Sequence, residues 1–331
     1  MNRLKFFLVV LVLMSFKTFA CLNWEIKTLK NKVEIYRDRA HQYVPRGHQF
    51  KIKDFSGLIL DLEEGYKKTN DVDYLSDKGY VLIIQGKYDE ALKLYLEIEK
   101  IKPNRYSTAS NLGTLYELMG ENQKAYEWIQ KSIKINPNSH EGSEWLHLKI
   151  LEAKIKKIQN LTGEFFIGTN FGSEIVAKTN LSNEELTKLQ DAIFFQLNER
   201  ISFIKPKDQI ISVLLFELGN IASMNENVFS ETSEIFELSR KYGFQSNVLN
   251  ERLLVCYEKM NEYSLKNGKE LYESAVHADT LSDKLAKRIR KNDDIFNEVL
   301  IGFSIITLTL LICSVVFFLK WKKLKNTISA S

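Results

Sequence analysis

His140, Glu144 and His147 form the one closely spaced set of metal-ligand side chains in the 331 residues. On a helix, positions i, i+4 and i+7 share a face, so the trio could hold a divalent ion. The metalloprotease pattern His-Glu-x-x-His is not met, because Glu144 stands where the second histidine is required. The competing reading is a polar helix start followed by one packed histidine. His41 and His48 flank the loop Tyr43 to Gly47, and His277 lies on a late helical segment; alone, each is an ordinary surface residue. No serine or cysteine has the neighbours that activate a nucleophile. Cys21, Cys256 and Cys313 are far apart, without metal-ligand spacing, which excludes a disulfide framework. Cys256, in the run LLVCY, reads as core. Gly163, Gly168 and Gly172 are not followed by Gly-Lys-Ser/Thr, so a phosphate loop fails. What remains is recognition, with no catalytic residue and no cofactor expected, and a metal-dependent enzyme built on the trio as the outside alternative.

The elements that must position such a surface are helical. The chain has only four prolines and fifteen glycines, and it is rich in Leu, Ile, Lys and Glu, which favours helix over sheet. Hydrophobic residues at 44% and charged residues at 27% suit a folded chain. A net charge of +4, gathered near the two ends, leaves no nucleic-acid footprint.

Between residues 72 and 139 the sequence repeats itself. Gly79 and Gly113, Gly86 and Gly120, Ala91 and Ala125, Ile101 and Ile135, and Pro103 and Pro137 each stand 34 residues apart. Each residue type has a physical task at its place. Gly79 and Gly113 fall where two helices of a unit touch, and Gly86 and Gly120 end the first helix in a left-handed conformation. Ala91 and Ala125 are the small residues facing the contact. Leu112, Tyr116, Tyr95 and Ile129 fill the space between, and Pro103 and Pro137 stop the second helix.

This period, carried by several residue types, resembles the tetratricopeptide repeat (TPR) family. The resemblance implies an all-α fold, a TPR-like array of helical hairpins (an α-solenoid), and a concave groove that binds another protein or peptide. Counted within the period, groove positions are Asp73, Ser76, Asp77, Tyr80 and Ile84, then Ser107, Asn111, Thr114 and Leu118, then Glu141, Glu144, Trp145 and Leu148. Tyr80, Asn111, Leu118 and Trp145 are the expected partner-binding residues, with Tyr80 and Trp145 as anchors. Chaperone-binding members clamp a terminal carboxylate with lysines, arginine and asparagines; only Asn111 matches such a place. The groove counts as mildly acidic and suits an apolar or basic peptide.

A third unit begins near residue 140 and departs from the pattern: His147 takes the slot of the contact glycine, and 141–159 reads as one long capping helix. Leu218, Gly219 and Asn220 resemble the Leu-Gly pair of a repeat's first helix, so 209–224 and 231–242 are expected to form a degenerate unit.

The ends read differently. Residues 1–20 have the basic start, apolar run and small residues of a secretory signal cut after Ala20. A lipidated Cys21 is the competing reading, for which Thr18 and Phe19 fit poorly. Val299 to Leu319 is 21 residues without a charge, enough to span about 30 Å of hydrocarbon. The lysines Lys320, Lys322, Lys323 and Lys325 then place the C-terminus in the cytoplasm. The expected organisation is signal 1–20, N-terminal extension 21–71, array 72–160, loop 161–182, helical region 183–298, transmembrane helix 299–319 and tail 320–331. The expected protein is a single-pass membrane scaffold with its array outside the cytoplasm (periplasmic in a bacterium). It binds protein and takes no nucleic acid and no small-molecule substrate. A sensor subunit signalling through the membrane helix is the alternative.

Overall fold

The computed structural model describes residues 24–39, 43–225, 228–264 and 266. The signal segment 1–20, the apolar run Val299–Leu319, His41 and His277 lie outside these residues. Among those described, no helix is long and apolar enough to cross a membrane. The chain divides into two compact units, 1–260 and 261–331, and the elements that position the site all belong to the first.

Two antiparallel strands, β1 (Trp24–Thr28) and β2 (Glu34–Arg39), open the unit. They precede the array, which is all-helical as expected. Ile35 of β2, with Leu29 of the turn, buries itself against the next helix.

The helices α1 (Phe55–Thr69), α2 (Val72–Ile84), α3 (Tyr88–Ile101), α4 (Tyr106–Leu118) and α5 (Asn122–Ile135) then stack as antiparallel neighbours. Their ends follow local chemistry. The Asp54 and Asp71 side chains accept from the Gly57 and Asp73 amides at the starts of α1 and α2. Gly86 and Gly120 follow α2 and α4 at φ +75° and +81°, the left-handed conformation expected of them. One apolar layer runs through the stack, from Leu75 and Leu82 through Ala91, Tyr95 and Ile98 to Leu112, Leu115, Ala125 and Ile129.

The expected long helix 141–159 is not formed. A short 3₁₀ turn, Ser139–Gly142, comes first, and α6 runs only from Glu144 to Lys156. His140 and Gly142 take positive φ (+48° and +73°), and Lys157 at +50° ends the helix, so the backbone leaves the helical region on both sides. Within the expected loop 161–182 a small helix, α7 (Gly163–Ile167), is capped by the Thr162 hydroxyl and closed by Gly168.

A full capping box of Ser182 and Glu185 starts α8 (Asn183–Ile201). α9 (Gln209–Ser223) and α10 (Phe229–Tyr242) form the expected hairpin, and α11 begins at residue 247. A second core joins Leu146 and Ile150 of α6, Phe166, Phe171, Ile193 and Leu197 of α8, and the apolar face of α9. Cys256 of α11 is buried with Phe216, Phe236, Leu249 and Leu253, as its sequence context required.

Candidate groove of the helical array

The first helices of the two repeated units, α2 and α4, present Asp73, Ser76, Asp77 and Tyr80, then Ser107, Asn111 and Thr114, to one cavity of about 530 Å³. Seven of the positions counted from the period thus share one concave wall. The helix contacts behind that wall explain the period. A Cβ on Gly79 would stand 2.6 Å from the Tyr95 Cζ, and one on Gly113 would stand 2.6 Å from the Ile129 Cγ1. A Cβ on Gly219 would stand 2.5 Å from the Phe236 Cε1, so α9 and α10 repeat the packing of a unit.

The family profile described as tetratricopeptide repeat matches residues 72–105 and 107–139, the segments that carry α2 to α5. The chain carries two tetratricopeptide repeats. Among curated proteins, it is 22% identical over 205 residues to the BBSome complex member BBS4 of Bos taurus, which covers 61% of this chain and 37% of that relative. The chain thus spans well under two thirds of that relative's length. A solved structure titled MamA RS-1 ArsTM double mutant aligns over 57% of this chain and 88% of its own, at 12% identity and a TM-score of 0.32.

The groove of these repeats is not an open trough. The β1–β2 hairpin lays Lys27, Thr28, Leu29, Lys30 and Lys32 along one side, and α8 with the segment after it places Glu199 and Phe203 on another. The Lys30 amide donates to Asp77 Oδ2 at 2.5 Å, and its ammonium lies 2.7 Å from Asp71 and 3.4 Å from Asp73. Burial raises the Asp77 carboxyl above its usual range. Lys27 sits over the Tyr80 ring, 5.8 Å from its centroid, and Phe50 meets the same ring edge-on. Tyr80 is therefore a partly covered wall residue, and burial holds its phenol well above the usual value.

His48 fastens the segment after the hairpin to α8. Its Nδ1 lies 2.6 Å from Asp38 and its Nε2 2.9 Å from Glu199, with the ring stacked on Tyr36 at 3.9 Å. Burial by itself would lower the imidazole pKa, but the two carboxylates outweigh it and the net shift is upward. The Gly47 amide donates to Asn198 and the His48 amide to Ser202. Read as a surface residue in the sequence, His48 is instead a buried clasp. Nothing in local sequence marks it, because both its partners are distant in the chain.

The trio His140, Glu144 and His147 does come together, but as an ion network. Glu144 lies 2.8 Å from His140 Nδ1 and 3.1 Å from His147 Nδ1, while His147 Nε2 is 2.7 Å from Glu117. Glu117 also receives Arg200 of α8 at 3.0 Å and Lys154 at 2.7 Å. Burial opposes the charge on Glu144, yet its two histidines hold the carboxyl down to about 2. The carboxylates are thus spent on internal cations, and no group of three or more potential metal ligands is assembled among the described residues. His140 leaves the shared helical face because it stands on the 3₁₀ turn, stacked on Phe195 at 5.0 Å.

The other residues expected to meet a partner divide. Asn111 lines the cavity and donates to the Tyr95 hydroxyl at 3.0 Å. Leu118 borders a smaller adjoining space of about 40 Å³ beside His147 and Arg200. Trp145 lines neither; it stays 40% exposed on α6, displaced from the groove face because the third unit starts with a 3₁₀ turn. The mildly acidic groove is also corrected, since Lys27, Lys30, Lys32 and Arg105 face Asp73, Asp77 and Glu199 across it.

Proposed function

We propose that this protein is a membrane-anchored interaction scaffold that presents its repeat groove to a protein partner on the extracytoplasmic side. The single observation that carries the binding role is the pair of tetratricopeptide repeats whose first helices share one concave wall. The relative BBS4 is named as a member of a complex, which agrees with a role in assembly. Anchoring and orientation rest on the sequence: a signal-like segment 1–20, the uncharged run Val299–Leu319, and the lysines that follow it. Fold by itself does not assign function, so the reading stands on the groove and not on the architecture.

Cross-linking in intact membranes, followed by capture of the full chain, tests the scaffold. A partner cross-linked at Tyr80 or Asn111 supports the groove, and cross-links confined to the convex side remove it. A reporter active only in the cytoplasm, fused after Ser331, is expected to be active; a silent reporter there overturns the orientation.

A further inference from the structure

The hairpin changes what the groove can hold. A volume of about 530 Å³ lies in the range of small-ligand sites, roughly 300–1,000 Å³, and is too small for an amphipathic helix, whose diameter with side chains is about 10–12 Å. A short extended segment or a few polar side chains fill it.

The charges inside are unevenly used. All three acids on the wall are engaged: Asp73 by Arg105 and Lys30, Asp77 by the Lys30 amide, and Glu199 by His48. The cations are engaged less fully: Lys30 and Arg105 are paired, and two further lysines are not. Lys27 and Lys32 line the cavity and form no ion pair with any described residue, although Lys27 lies over the Tyr80 ring and its charge reaches Asp77 and Glu199. Arg105 binds Asp73 through Nη2, but its Nη1 is buried with no hydrogen-bond partner. Arg105 is one of the residues that line the cavity, and a carboxylate is the natural complement of a guanidinium. Ser107 and Thr114 add hydroxyl donors to the same wall. Filling this cavity with a basic segment would set its ammonium groups against unspent cations, while the acids that would receive it are already paired.

We propose that the cavity binds the carboxylate side chains of a short acidic segment of a partner protein, held by Lys27, Lys32 and Arg105. The proposal rests on the scaffold reading for the source of the segment, but the anion site stands on the cavity alone. Two of its three cations, Lys27 of β1 and Lys32 of the turn, come from the β1–β2 hairpin, outside the repeats.

The test uses the full-length chain in detergent and fluorescent hexapeptides of glutamate, glutamine or lysine, each blocked at both ends, read by anisotropy at low salt. The glutamate peptide is expected to bind and the other two are not. Lys27→Glu with Lys32→Glu should weaken it by about tenfold or more with circular dichroism unchanged. Both lysines are exposed, so folding is expected to survive the exchange. Equal binding of glutamate and glutamine peptides, preference for the lysine peptide, or indifference to the double variant would each overturn the proposal. Free succinate forms a separate arm: if succinate binds through the same lysines and the peptide does not, the anion site holds and the partner-segment source is wrong. A partner captured equally by wild type and double variant in the membrane cross-linking would leave the scaffold standing and sink this site. Peptide binding with no captured partner would do the reverse.

Discussion

Gly79 and Tyr95 are packed in direct contact: a Cβ on the glycine would stand 2.6 Å from Cζ and 2.7 Å from Cε2 of the ring. The ring cannot retreat, because the Tyr95 hydroxyl donates to the Ser76 carbonyl at 2.9 Å and accepts from Asn111 at 3.0 Å. Gly79→Ala should therefore destabilise the fold by about 1–3 kcal/mol. In a Tyr95→Ala background the clash is gone, and the same change should stabilise by about 1 kcal/mol through helix propensity. Urea unfolding of the four proteins checks the cycle. The same cost in both backgrounds would show that the ring is not what the glycine accommodates.

Arg252 is the tie of the 171–177 loop. Its guanidinium donates to the carbonyls of Phe171, Gly172 and Glu174 at 2.8–3.1 Å and to Asn220 Oδ1 at 2.6 Å, and the residue is 2% exposed. Arg252→Ala strands these acceptors and should cost about 3 kcal/mol or more. Limited proteolysis is expected to cut first near the exposed Ile175 and Val176. A variant as stable and as resistant as wild type would remove the guanidinium from that role.

Glu217 sets a pH dependence. Burial raises its carboxyl from 4.5 to about 7, against the Asn220 amide at 3.0 Å and the more distant Arg252, which favour the charged form. A carboxyl raised on folding favours the protonated native state, so its contribution falls as pH rises from about 4.5 through about 7. Glu217→Gln should gain on the order of 1 kcal/mol or more relative to wild type above pH 8 and little below pH 4. Thermal melts across that range decide it; a constant difference would mean the carboxyl does not titrate there.

His48 gives a second dependence. Its folded pKa is raised above 6.5, so the clasp contributes fully below that value and is lost as pH rises through the folded pKa. The groups facing the ring are Asp38 and Tyr36 of β2, Phe50, and Glu199 of α8. His48→Gln should lower the melting temperature at pH 6 and converge on wild type on the alkaline side. A parallel offset at every pH would leave only packing.

The repeats were legible in the chain before any packing was known. Gly79, Gly86, Ala91 and Pro103 recur 34 residues on because each answers a constraint inside one hairpin: a contact with no room for a Cβ, a left-handed end, a stop. Gly219 was legible for the same reason. The contents of the groove depend on contacts far apart in the chain. Lys27 and Lys32 reach it because Leu29 and Ile35 bury against Leu58, Leu62 and Val81, and Glu199 reaches it because Arg200 pairs with Glu117, 83 residues away. Such long-range pairings leave no period to read, so the sign of the groove's charge and the place of Trp145 were set by packing between units that local pattern does not encode.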